Sequence, residues 1–236
     1  AVRIVEDFGY SGQLASGYII SIIALYLYRN DIVYNKLGNG DKEAIFKFVR
    51  TAQITSYFTT SLDRKLSYAL EGMNGVKDFS EFNVRMAKMD ANKALKLTTD
   101  DVDDLLTLQY GNPAILPVLQ VLYPHLDYKN SKFHIDHIYP KAKFTIKNKD
   151  LSPDFIEEKN YLFNLQLLEG AENIGKKDAD PNVWIIEHFG NDINKIADYK
   201  SKNYIDACCT MQWNDFKTFK EKRTEALRAA LMLAFK

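Results

Sequence analysis

Phe133-His134-Ile135-Asp136-His137-Ile138-Tyr139-Pro140 gathers two of the chain's four histidines and an aspartate into four residues, on a background of isoleucine and aromatic side chains. The pattern predicts a β-strand over residues 133–139, ended by Pro140, which cannot donate to a ladder. Residues two apart share a strand face, so His134 and Asp136 are expected on one side and Ile135 and His137 on the other. A carboxylate and two imidazoles this close can hold a metal or move a proton. A partly exposed strand with merely hydrogen-bonded histidines reads the same way, and the segment alone does not choose between the two.

A second stretch, Asn160-Tyr161-Leu162-Phe163-Asn164-Leu165-Gln166-Leu167-Leu168-Glu169-Gly170-Ala171-Glu172-Asn173-Ile174-Gly175-Lys176-Lys177, reads as a strand over 161–168, a turn at Gly170 and a short helix around Asn173. The two stretches together resemble an HNH nuclease core, the ββα-metal or His-Me finger. More narrowly, His134 to Lys141, with Asn164-Leu165-Gln166-Leu167-Leu168 and the Asn173–Lys176 pair, resembles the C-terminal nuclease domain of GmrSD-type restriction enzymes and of SspE-type anti-phage proteins. The motif covers residues 133–177.

The resemblance implies a division of labour. Asp136 and Asn173 are the expected metal ligands, and His137 the general base. Asn164 ties the strand carrying that base to the rest of the finger. Lys176, with Lys177 beside it, contacts the scissile or a neighbouring phosphate. His134 approaches metal or phosphate from the Asp136 face, or supports the strand. The chemistry suits these residue types. A carboxylate and a carboxamide oxygen are hard donors, fit for Mg or Mn, which keep several waters and need few protein ligands. An imidazole with a pKa of about 6.5 accepts a proton from water at neutral pH. One geometric demand follows: Asp136 and His137 are neighbours that an ideal strand splays apart, so a twist or bulge is expected there.

Other chemistries lack their signatures. There is no Cys-x-x-Cys for zinc, no complete Gly-x-x-x-x-Gly-Lys-Ser/Thr loop for nucleotide phosphates and no Gly-x-Ser-x-Gly elbow. Cys208 and Cys209 are adjacent, and read as small buried or half-buried residues on a helix. Two cysteines in 236 residues suit a reducing cytosol, and a cytoplasmic location is expected. The longest apolar run, residues 18–28, is too short to cross a bilayer and lacks the basic start of a signal peptide.

Lysines and arginines number 31 and acidic residues 31, so any nucleic-acid surface must be local. Lys129, Lys132, Lys141, Lys143, Lys147 and Lys149 surround the motif, whereas acidic residues gather elsewhere, as at Asp100, Asp101, Asp103 and Asp104. Zero net charge suggests weak intrinsic affinity for DNA. The chain opens Ala1-Val2-Arg3 without an initiator Met and is expected to be the C-terminal portion of a longer protein. The resemblance implies a ParB-like NTPase domain upstream.

Helical periodicity dominates the remainder, with helices expected over 11–29, 42–59, 62–71, 79–89, 99–109 and 113–122, then from Trp184 to His188 and over 214–235. Ser61 is the expected cap of the third. The expected architecture is mainly α: a helical domain over 1–128, an embedded ββα-metal (HNH) finger over 129–190, and C-terminal helices over 191–236 packing on the helical domain. The expected function is a metal-dependent HNH endonuclease acting on foreign or phage DNA, the C-terminal effector of a restriction or anti-phage protein. The alternative is a catalytically silent DNA-binding module, or a helical interaction module regulating an upstream NTPase domain.

Overall fold

Apolar residues at helical spacing organise the N-terminal part of the chain. The computed structural model describes residues 1–10, 14–89, 95 and 97–235. Its helices there are α1 (Val2–Asp7), α2 (Tyr18–Arg29), α3 (Asn39–Ile54), α4 (Leu62–Gly72) and α5 (Phe79–Met89). Then follow α6 (Val102–Leu106), α7 (Ile115–Leu122), β1 (Phe133–His137), β2 (Leu165–Glu169), α8 (Gly170–Lys176), α9 (Pro181–Phe189), α10 (Ile193–Lys202) and α11 (Phe216–Ala234). The fold is mainly α with one small ββα element. Among the described residues no helix is long and apolar enough to cross a membrane.

The chain divides into two compact units, one of residues 1–97, 116–120 and 127–130, the other of residues 98–115, 121–126 and 131–236. In the first, Phe48 of α3 meets the rings of Phe79 and Phe82 edge-on at 5.5 and 5.6 Å. Tyr26 of α2 is fully buried, and its hydroxyl donates to Asp41 of α3 at 2.8 Å. The same carboxylate oxygen accepts the Phe79 N–H at 2.9 Å. One aspartate therefore joins three helices while leaving no buried donor unpaired.

Helix limits shift where local bonding overrides periodicity. Residues 11–13 of the expected first helix lie outside the described residues, and α2 begins at Tyr18. α3 stops at Ile54 rather than 59 because Ser56 adopts a left-handed conformation (φ 48°), which breaks the hydrogen-bond ladder. Ser61 precedes α4 but makes no side-chain capping bond, its own φ being 51°. Ahead of α6, Thr98 and Asp101 form a reciprocal capping box, so the acidic run opens a short 3₁₀ turn and a short helix instead of one longer one. α1 has no counterpart among the helices expected from the sequence, whereas α10 falls within the expected C-terminal helices over 191–236. Cys208 is exposed and Cys209 buried, and both lie in a turn rather than on a helix.

The second unit is built around α11. Arg223 has no exposed surface, and its guanidinium donates to Asn203 O at 2.9 Å, Leu165 O at 2.8 Å, Phe163 O and the Tyr123 hydroxyl. Carbonyl oxygens, not a carboxylate, satisfy this cation, and burial lowers its pKa. Residues 98–115 belong to this unit rather than to an N-terminal domain ending at 128. The reason is direct pairing: Leu108 O accepts from Leu162 N–H at 2.9 Å, Tyr110 N–H donates to Asn160 O at 2.7 Å, and Asp103 pairs with Arg228.

Candidate active site

β1 and β2 pair antiparallel, in register from Phe133 opposite Glu169 to His137 opposite Leu165. Two five-residue strands are marginal alone and need a covering layer. α8 supplies it, following β2 directly, with Gly170 N–H bonded to Lys132 O at 3.1 Å. The result is a ββα finger spanning both stretches singled out in the sequence.

Asp136 lies opposite Gln166, and its carboxylate is built into the interior. Oδ2 accepts from Lys176 Nζ at 2.7 Å and from Gln166 Nε2 at 2.8 Å. Oδ1 accepts no hydrogen bond among the described residues. Lys176 is a correction to the sequence reading. Its side chain is 0% exposed, against 11% for Asp136, and it also donates to His137 O. An ammonium enclosed between a carboxylate, a carbonyl and the Trp184 ring (5.9 Å) is not a surface group reaching for phosphate. Burial pushes its pKa down, and the adjoining Asp136 charge opposes that shift. Lys177, the adjacent alternative, is exposed.

Asn173 sits one helical turn before Lys176, so the two share a face of α8. Its side chain is half-buried and makes no hydrogen bond among the described residues. Helical spacing thus brings a free carboxamide to the side of the sheet where Asp136 is held. His134, exposed on the Asp136 face of β1, rests its ring beside Gly170.

His137 belongs to the other face. The ladder is regular through its pairing with Leu165, so the bulge expected between Asp136 and His137 does not occur. Its Nε2 lies 3.1 Å from Asn160 Oδ1. An amide oxygen can only accept, which places the proton on Nε2 and leaves the Nδ1 lone pair available. The Tyr110 ring is tilted over the imidazole with centroids 5.0 Å apart. Burial lowers the His137 pKa and outweighs the raising effects of the Asn160 hydrogen bond and the Asp136 charge. Neutral imidazole is therefore the resting form at neutral pH.

Strand β1 ends at His137 because Asn164 takes over the bonding. Its backbone carbonyl accepts Ile138 N–H at 2.8 Å. Its fully buried side chain accepts Tyr139 N–H at 2.9 Å and donates to Tyr139 O at 3.0 Å and Lys159 O at 2.8 Å. Strand β2 begins one residue later, at Leu165 rather than 161, since residues 162–164 form a 3₁₀ turn.

The structure thus joins Asp136 to Lys176, sets Asn173 one turn before that lysine on α8, and sets His137 apart with two residues the sequence reading missed, Tyr110 and Asn160. Gln166 and Tyr199, whose hydroxyl donates to Gln166 Oε1 at 2.8 Å, were missed as well. Among the described residues no three His, Cys, Asp or Glu side chains cluster as a metal site. The donor set that is present, one carboxylate oxygen and one carboxamide, fits a hard cation completing its shell with water and substrate. It does not fit zinc. Around the finger, Lys132, Lys141, Lys147 and Lys149 are exposed, whereas Lys143 is engaged with Asp180 at 2.9 Å.

The chain matches the family of GmrSD restriction endonucleases, C-terminal domain, over residues 108–232, more than half its length. Every side chain around Asp136 and His137 lies inside that match. No curated protein matches the chain.

Proposed function

Because the chain belongs to the family of GmrSD restriction endonuclease C-terminal domains, we propose that its ββα finger is an HNH centre that nicks DNA with one divalent cation. The observation that carries this reading is the half-satisfied carboxylate. Asp136 Oδ2 is fixed by two buried donors, while Oδ1 and the Asn173 carboxamide remain uncommitted on the side covered by α8. Mg or Mn held by these two oxygens would act as a Lewis acid, stabilising charge on the phosphoryl and leaving oxygens.

The other roles fall to the chain's own groups. His137 Nδ1 takes the proton from the attacking water, and Asn160 keeps the ring in that tautomer. An in-line displacement has its nucleophile and leaving oxygen on opposite sides of phosphorus. A base and a cation site on opposite faces of a strand end are compatible with that requirement. Lys176 holds the metal-binding carboxylate and the His137 carbonyl in place, and touches no substrate. Asn164 fixes the end of β1, and so the position from which His137 projects. His134 lines the rim of the Asp136 face. The exposed Lys132, Lys141, Lys147 and Lys149 offer a local basic surface to the DNA backbone. In this reading the finger is the effector of a restriction or anti-phage protein, acting on foreign DNA under an upstream ParB-like NTPase domain.

Supercoiled plasmid incubated with the protein and Mg²⁺ or Mn²⁺ should accumulate as open circles, and EDTA should stop the reaction. Undiminished nicking by His137→Ala would refute the assignment. One observation favours a second reading, a DNA-binding or interaction module without cleavage: Asp136 already has a buried cationic partner. That reading requires salt-sensitive DNA retention with no strand breaks in either metal.

A further inference from the structure

We propose that Gln166 and Tyr199 are positioning residues that aim the Asp136 carboxylate at the divalent cation, an inference that rests on the metal-dependent reading above. Gln166 is an anomaly in its own strand. It lies between Leu165 and Leu167 with no exposed surface, where an apolar side chain would bury as well without needing partners. Instead both ends of its carboxamide are engaged: Nε2 donates to Asp136 Oδ2 at 2.8 Å and Oε1 accepts the Tyr199 hydroxyl at 2.8 Å.

The chain of bonds has a direction. A carboxylate can only accept, so Gln166 must turn its NH₂ toward Asp136. Its oxygen then needs a donor, and the Tyr199 hydroxyl is one. Flipping the amide would set its oxygen against the carboxylate and its NH₂ against the Tyr199 hydroxyl. Tyr199 is itself held in place: on α10 its ring packs against Trp184 and Phe189, each with centroids 5.5 Å away.

The consequence falls on Asp136. With Lys176 and Gln166 both on Oδ2, the carboxylate cannot rotate without breaking two buried bonds, one of them charge-assisted. Oδ1 is thereby presented in one orientation. Outer partners of this kind tune metal ligands, and their loss typically costs about 10- to 100-fold in metal affinity or activity.

The test uses the full chain and Mn²⁺ alone as the probe. Free Mn²⁺ is measured by electron paramagnetic resonance, with melting followed in EDTA and nicking followed against Mn²⁺ concentration. Gln166→Met keeps length and volume but removes the donor, and it should weaken Mn²⁺ binding by about 10- to 100-fold. The Mn²⁺ concentration for half-maximal nicking should rise by the same factor. Tyr199→Phe removes one hydroxyl, keeps the packed ring, and should give a smaller loss in the same direction; it carries the test if Gln166→Met fails to fold. Wild-type Mn²⁺ affinity in a folded variant, with only the melting temperature lowered, would show a purely structural bond and overturn the proposal. Wild-type protein that binds no Mn²⁺ would instead remove the metal-dependent reading itself, and this inference with it.

Discussion

The two faces of β1 are built on opposite principles. On the Asp136 face charge meets charge in the interior: Lys176 has no exposed surface, and both groups depend on hydrogen bonds from β1 and β2 for satisfaction. On the His137 face a single imidazole is kept neutral by burial, tethered through one amide and overlain by the half-exposed Tyr110. In the proposed mechanism, the contrast means that the finger separates holding charge from moving a proton. The first needs a preorganised, enclosed carboxylate, the second a group free to change its protonation state.

Breaking the His137 side should affect chemistry most. His137→Ala removes the proposed base and should lower the nicking rate by about 10²- to 10⁴-fold, with the melting temperature little changed. Breaking the Asp136 side should instead unfold the protein more easily. Lys176→Met leaves a buried carboxylate without its cation, and urea unfolding should show a loss of about 3–5 kcal/mol. Between the faces, Asn164→Ala strands the buried Tyr139 N–H and should cost about 1–3 kcal/mol by the same measurement.

The smallest effect sharpens the comparison. Burial holds the His137 pKa below its ordinary value, and the Asn160 bond works against that shift. Asn160→Ala should therefore move the His137 titration, followed by NMR, to still lower pH, taking the acidic limb of the nicking profile with it. The effect on stability has a definite sign. The folded state binds the proton less readily than the unfolded chain, so this group's contribution is complete above about pH 6.5. It declines as pH falls from there toward the folded value.

Much of this was legible in the residues because the relevant signals are local. The polar triplet in an apolar strand, the apolar run 165–168 and the short helix around Asn173 all read correctly as parts of a ββα element, although β2 starts at Leu165 rather than 161. Burial was not legible. A lysine in a short glycine-containing helix looks solvated, and only the approach of Trp184 and the end of β1 encloses Lys176. Arg223 carries no sequence signal of burial either, yet it has no exposed surface and is satisfied by carbonyls brought from β2 and from Asn203. Asn160 and Gln166 carry no pattern of their own, since their importance comes from the register of β1 against β2 and from residues 108–110 laid along the finger. The expected bulge failed for a related reason. It was required on the assumption that base and metal ligand share a face, and the ladder keeps them apart.

Mn²⁺ binding to His137→Ala and to Asp136→Asn, measured side by side with the wild type, tests this separation most directly. The account expects His137→Ala to bind Mn²⁺ like the wild type while nicking is lost, and Asp136→Asn to lose the ion. Equal loss of Mn²⁺ in both variants, or retention in both, would contradict it.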